Sequence, residues 1–233
     1  MSRPVEESSL DNMAWHSLHT RLRPYAQSDS SGLALRMHPD IGFFGGSEVL
    51  DDASWAAHAE LVGEGGAAFF FRDVVLPPPR GWTEVFRERC CQFVAEDLPE
   101  ASAIDTVMLG AHDVEEMIAL VALTEPGPFL SRTHELGGYH GVRQKGKLVA
   151  MAGQRMQVPG FREISAVCTH PEVRRQGLGK ALTLKVAEDI RNAGDEACLH
   201  VVSTNTNAIA LYESTGFRMR REIEVAGFQR DPS

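Results

Sequence analysis

At 233 residues and 43% hydrophobic, the chain can bury a core as one large domain or two small ones. A net charge of −9, from 32 acidic against 23 basic residues, disfavours nonspecific nucleic-acid binding and favours small cations as ligands. No apolar run reaches the roughly twenty residues that span a bilayer. Residues 1–24 lack the apolar core of a secretion signal, and Cys90, Cys91, Cys168 and Cys198 show no zinc spacing; the expectation is a reduced, cytoplasmic protein with no metal and no membrane partner.

In the first hundred residues, "GLALRM" and "AAFFFRDVVL" read as strands separated by a helical "DDASWAAHAELV", and Pro77-Pro78-Pro79 makes a stiff connection. "WTEVFRERCCQFVAEDL" fits neither the helical nor the strand period. A boundary is expected near residues 100–105, dividing the chain into 1–104 and 105–233. After it, a short strand at Thr106–Leu109 leads to a helix with a capping-box spacing at Asp113 and Glu116 and a stripe of Val114, Met117, Ile118 and Val121, stopped by Pro126-Gly127-Pro128. "YHGVRQ" and "KLVAMAGQRM" form a hairpin at Lys145-Gly146, and Pro159-Gly160 turns into a third strand, "FREISAVCT".

An amphipathic helix then runs from Leu178 to about Ala193, with Leu182, Val186 and Ile190 inward and Thr183 outward, and Gly194 ends it. A strand, "ACLHVV", a short helix after Asn205 and Asn207, and a strand near Met219–Val225 complete a mixed α/β pattern.

The junction "PEVRRQGLGKA" places Arg174, Arg175 and Lys180 at a helix start, where cations are unfavourable without an anion among them. Two phosphate loops are eliminated by spacing. The first glycine of a Walker A loop would be Arg174 and the Ser or Thr after its lysine is Ala181; the third glycine of a dinucleotide fingerprint would be Leu182. What remains is R-x-x-G-x-G between strand and helix. Gly177 and Gly179 let successive backbone N–H groups approach one anion. The other reading of this segment is a tight connection with solvated basic residues.

This junction resembles the signature of the GNAT superfamily of acyl-CoA N-acyltransferases, Q/R-x-x-G-x-G/A. "NTNAIALYESTGF" is similar to the family's second marker, in the right order after one helix and one strand. The resemblance covers about Thr106 to Phe228 and looks closest to the glycine N-acyltransferase branch. It implies a mixed, mostly antiparallel sheet with splayed central strands flanked by helices, and an additional N-terminal α/β portion. That portion is read as completing the acceptor pocket, as a degenerate half of the same fold, or as a homodimer contact.

The resemblance also implies roles. Acetyl-CoA would be the co-substrate, its pantetheine arm along the strand at Val167, Cys168 and Thr169. Its pyrophosphate would meet Arg174, Arg175, Gln176, Gly177, Leu178, Gly179 and Lys180, with Asn205 also at the cofactor. Tyr212, in "LYE", matches the tyrosine that protonates the departing thiolate; the alternative is an aromatic packed on the sheet. Glu163 is the base candidate, because a carboxylate in an apolar strand is costly unless used or paired; the alternative is an ion pair with Arg155.

Period-two alternation groups Glu163 with Val167 and Thr169 and turns Cys168 away as a core residue. His170 contacts the cofactor or caps its turn. His134, Glu135 and Tyr139 are pointers to the acceptor. The implied function is acetyl transfer to a primary amine on a small molecule, by direct attack. The alternatives are a protein or peptide amine as acceptor, or a noncatalytic acyl-CoA-binding module.

Overall fold

The computed structural model describes residues 7–101 and 104–232. Helix α1 (Met13–His19) leads to three short strands, β1 (Ala26–Ser28), β2 (Leu35–Met37) and β3 (Phe44–Gly46). Helix α2 (Asp52–Val62) connects β3 to β4 (Ala67–Arg72), and the long β5 (Trp82–Ala95) follows. Beyond residue 104 come β6 (Val107–Leu109), α3 (Val114–Thr124), β7 (Tyr139–Gln144), β8 (Lys147–Val158) and β9 (Phe161–Thr169). Helix α4 (Leu178–Asn192), β10 (Glu196–Val202), α5 (Thr206–Glu213) and β11 (Phe217–Arg230) close the chain.

All these strands form one sheet in the order β1-β2-β3-β4-β11-β5-β10-β9-β8-β7-β6. The sheet is continuous across the expected boundary at residue 104, because β5 from the N-terminal portion lies between β10 and β11. The core crosses the same point: Met13 and Leu18 of α1 pack in one cluster with Met156, Phe161, Cys198 and Ile223. Burying each such side chain contributes about 1.5–3 kcal/mol, so the two segments stabilise each other.

The topology repeats. Helix α2 joins the parallel pair β3 and β4, and α4 joins the parallel pair β9 and β10. The next position in each set is taken by a strand from the other: β11 runs antiparallel beside β4, and β5 runs antiparallel beside β10.

The ambiguous segment "WTEVFRERCCQFVAEDL" is β5. Its first half is largely exposed and its second half, Cys90 to Val94, is buried throughout, so neither period is kept. The α3 stripe is rotated: Met117, Leu120 and Val121 are buried while Ile118 is exposed. The expected capping box does not close, because Asp113 accepts from the Gly110 N–H and Glu116 pairs with Arg143. Thr183 is buried too, its hydroxyl donating to the Gly179 carbonyl.

Candidate active site

Strands β9 and β10 pair only from Phe161 to Ile164, against Glu196 to Leu199. Beyond that point β10 stays with β5 as far as the pair Val202–Cys90, whereas β9 follows β8. The gap opens into a cavity of about 310 Å³, lined by Ser165, Ala166 and Val167 of β9 and by His200, Val201 and Val202 of β10.

A bulge accompanies the divergence. Gly153 pairs with Ser165 but Met151 pairs with Cys168, leaving one extra residue on β9, and Ala166 takes a left-handed φ of 53°. The extra residue reverses the expected alternation. Val167 and Thr169 face α4, where a Cβ added at Gly179 would stand 3.9 Å from Val167 Cγ1 and 3.7 Å from Thr169 Oγ1. Cys168 turns to the opposite face, that of Glu163, and packs with Met117 and Leu120 of α3. Burial pushes its thiol up to about 11, which suits a core residue and not a nucleophile.

After β9 the chain makes a single 3-10 turn, Pro171–Val173, capped by His170, whose Nδ1 accepts from the Glu172 N–H. Arg174, Arg175 and Gln176 are exposed, and Arg174 Nε donates to the Thr169 carbonyl at 3.3 Å. Arg175 and Gly177 have left-handed φ values of 64° and 79°. Gly177 is the N-cap of α4, and no side chain caps the helix. The first helical bond runs from Ala181 N–H to the Gly177 carbonyl, so the N–H groups of Leu178, Gly179 and Lys180 remain to meet an anion, with the helix dipole and the basic residues in support. The start of α2 is different: Asp51 and Ser54 close a capping box there. One crossover helix starts with no side-chain cap and the other is closed by a carboxylate.

Tyr212 and Asn205 line the cavity from the α5 side. Asn205 caps α5, its Oδ1 accepting from the Ala208 N–H. Tyr212 packs near Phe93 and Phe217, and burial pushes its phenol up to about 12. The far wall comes largely from the N-terminal portion: Phe44 of β3, Phe71 of β4, and Phe86, Glu88 and Cys90 of β5. Arg155 joins them, its guanidinium 4.8 Å from the Phe44 ring centroid and 5.7 Å from that of Phe71.

Glu163 is fully enclosed. It accepts from Arg155 Nε at 2.8 Å, Arg155 Nη2 at 2.5 Å, the Met156 N–H at 3.2 Å and His200 Nδ1 at 2.8 Å. Those four bonds use the acceptor capacity of a carboxylate. Burial pushes the carboxyl up, but the Arg155 charge and the hydrogen bonds outweigh it and hold Glu163 at about 2. Arg220 donates to Gln92 Oε1, so Gln92 Nε2 is the donor toward His200 Nε2, and the histidine proton sits on Nδ1 toward Glu163. Burial lowers the basicity of His200, consistent with a neutral ring.

Comparisons with known proteins match this geometry. The model of the FR47-like protein family matches residues 139–225. A protein of Novosphingobium aromaticivorans assigned to the GNAT family of acetyltransferases has a crystal structure that superposes with a TM-score of 0.87 at 34% identity, covering 95% of this chain and 98% of that one. The chain belongs to the GNAT family. It is an acyl-CoA-dependent acetyltransferase of that family, and its curled mixed sheet is the GNAT fold. A GCN5-related N-acetyltransferase from Kribbella flavida shares the fold at 17% identity, with a TM-score of 0.61 over 93% of each chain. A mycothiol acetyltransferase of Thermobispora bispora is 46% identical over 56 residues, which is 24% of this chain and 19% of that protein.

The GNAT signature thus falls at the one uncapped crossover, and the splayed strands lie where the family resemblance implied. Of the expected residues, Val167, Asn205 and Tyr212 line the cavity, whereas Cys168 faces α3, Thr169 and residues 174–180 lie outside the lining, and Glu163 is withdrawn behind Arg155. His134, Glu135 and Tyr139 lie outside the cavity lining. Glu135 pairs with Arg132, and Tyr139 is buried against Phe129. The wall formed by Phe44, Phe71 and Glu88 was not identified from sequence, because nothing local in β3, β4 or β5 marks their approach to β9.

Proposed function

We propose that this GNAT protein transfers an acetyl group from acetyl-CoA to a primary amine on a small molecule, by direct attack in a ternary complex. The observation that carries the reading is the junction of two features: the splay of β9 from β10 and the uncapped start of α4 at its rim. Backbone N–H groups from Arg175 to Lys180 would hold the pyrophosphate, and the free edge of β9 at Val167 to Thr169 would hold the pantetheine arm. When bound there, acetyl-CoA supplies the activated acyl carbon. Arg174, Arg175 and Lys180 surround the pyrophosphate with positive charge, and Asn205 Nδ2 donates from the α5 rim.

Tyr212 delivers a proton to the leaving sulfur. Its burial keeps the phenol protonated through the neutral range. Glu163 acts through Arg155 and His200 as a positioning residue, since a carboxylate with four donors has no lone pair to offer an ammonium. The cavity of about 310 Å³ supports a small acceptor over a peptide groove. An N-terminal part that shares the sheet and lacks an open helix start supports kinship with the glycine N-acyltransferase branch and reads as a degenerate half of the same fold.

Calorimetric titration with acetyl-CoA, CoA and ATP tests the reading. Binding of the first two but not ATP, followed by thiol release with amines, is expected. Binding without turnover of any amine would hand the site to a noncatalytic acyl-CoA-binding module, and failure to bind acetyl-CoA and CoA would overturn the cofactor assignment.

A further inference from the structure

The far wall of the cavity has an uneven charge balance. Arg155 is its cation, and the bidentate pair with Glu163 compensates that charge within the wall. Glu88 and Glu125 line the same cavity, and neither carboxylate has a hydrogen bond or ion pair among the described residues. Glu125 is exposed beyond the end of α3, whereas Glu88 is half-buried. Glu88 lies two residues from Cys90 on β5, opposite Val225 of β11, on the face that carries Arg155, Phe44 and Phe71. Strand β10 ends at the Val202–Cys90 pair, so Glu88 projects where the sheet has opened. Phe86 lies one strand period away on the same face, and Pro126 and Pro128 form the opposing rim. The charged or titratable side chains that share the cavity with Glu88 are Arg155, His200, Glu125 and Tyr212, besides the Cys90 thiol.

A half-buried carboxylate with no partner is costly unless a cation completes it, and aromatic faces around it favour that cation as well. Among the described residues that line the cavity, no basic group is free to receive a carboxylate, because Arg155 is held by Glu163 and His200 lies between Glu163 and Gln92. We propose that Glu88, supplied by the N-terminal portion, binds the ammonium group of the acceptor and takes its proton, and that the acceptor is a primary amine on an apolar body instead of an amino acid. This rests on the acetyl transfer proposed above.

The step balances. One ammonium proton passes to the Glu88 carboxylate and on to solvent. The neutral nitrogen forms the C–N bond as the thioester C–S bond breaks. The sulfur takes a proton from Tyr212, and the second proton shed by nitrogen restores the phenol. The products are an N-acetyl amine, CoA thiol and one released proton.

The test compares wild type, Glu88→Gln and Glu88→Asp, with 2-phenylethylamine, hexylamine and glycine as probes. Calorimetry on the protein–CoA complex should show 2-phenylethylamine and hexylamine binding to wild type, at least tenfold tighter than glycine and at least tenfold tighter than to Glu88→Gln. Turnover at pH 7 should fall about a hundredfold in Glu88→Gln. The deficit should shrink as pH approaches the amine's own pKa, with partial recovery in Glu88→Asp and unchanged acetyl-CoA affinity. Equal amine binding and turnover in wild type and Glu88→Gln, or preference for glycine, would overturn the inference while leaving acetyl transfer intact. Failure of wild type to bind acetyl-CoA would remove both readings together.

Discussion

Arg155 on β8 and Glu163 on β9 meet in a bidentate pair, 2.8 Å at Nε and 2.5 Å at Nη2, beside a register shift in the two strands. Gln154 pairs with Ile164 and Gln157 with Arg162, so both Arg155 and Met156 stand opposite Glu163 alone. That bulge lets one carboxylate take a side chain and a backbone N–H from successive residues. The pair stabilises the wall of the cavity and leaves Glu163 unable to act as its base.

Removing one partner strands the other as a buried charge. Arg155→Ala should therefore destabilise the protein by about 3–5 kcal/mol. Arg155→Met with Glu163→Gln together should cost less than the sum of the single changes. Urea denaturation midpoints for Arg155→Met, Glu163→Gln and the double variant check this; additive losses would mean that the two residues do not act as a pair.

Acid sensitivity follows from the same carboxyl. Glu163 sits at about 2 in the folded protein against an ordinary 4.5, so below pH 4.5 the unfolded chain takes up the proton first. The stability from Glu163 is present above pH 4.5 and is lost as pH falls toward 2. Asp195, fully engaged by Arg21 and Arg162, is also lowered and contributes in the same direction. Stability measured from pH 6 to 3 should fall less steeply in Glu163→Gln than in wild type.

Tyr212 faces the cavity with a phenol held protonated by burial. Tyr212→Phe keeps the packing against Phe93 and Phe217 and removes only the hydroxyl. It should lower kcat by 10²-fold or more with acetyl-CoA affinity unchanged. Steady-state kinetics with calorimetry separates the two; an unaltered kcat would assign the protonation of sulfur to another group.

The loop prediction turns on one glycine. At a φ of 79° Gly177 has nothing within 4 Å of an added Cβ, so any cost of substitution is conformational and not steric. Holding a side chain there costs roughly 1–2 kcal/mol, and Gly177→Val should nearly abolish CoA binding while the chain stays folded. Gly179→Ala should fold well, because its Cβ meets Val167 and Thr169 at ordinary contact distances, but should weaken CoA binding by narrowing the approach to α4. Titration of both variants against their melting temperatures is the check.

Cys168 offers a contrast. It is buried under α3 with its thiol pushed up to about 11. Cys168→Ala should keep most of the activity and cost about 1 kcal/mol of stability. Loss of turnover, or an acetylated Cys168 in a mass spectrum after exposure to acetyl-CoA, would point instead to a covalent route through Cys168.

Local patterns carried much of the second half. The hairpin of β7 and β8, the period of α4, the glycine stop at Gly194 and the paired motifs around Gly177 and Tyr212 each depend on neighbours in the chain, and each lies where periodicity and turn chemistry put it. The face of Cys168 did not follow from alternation, because the bulge at Ala166 adds a residue that the strand period cannot reveal. Nor did the surroundings of Glu163. Its pairing with Arg155 was one of two open readings, and neighbouring strands had to be in register before four donors could be counted on it.

The sequence by itself determined most elements of residues 105–232 and the R-x-x-G-x-G helix start, since these reside in short-range spacing, while the expectation for Tyr212 came from the family resemblance of its motif. Only the tertiary structure decided that β5 enters the sheet between β10 and β11, bringing Glu88 to the mouth of a gap that begins more than seventy residues later in the chain. Strand exchange of that kind is set by which apolar faces bury each other, a long-range choice that no window of sequence contains.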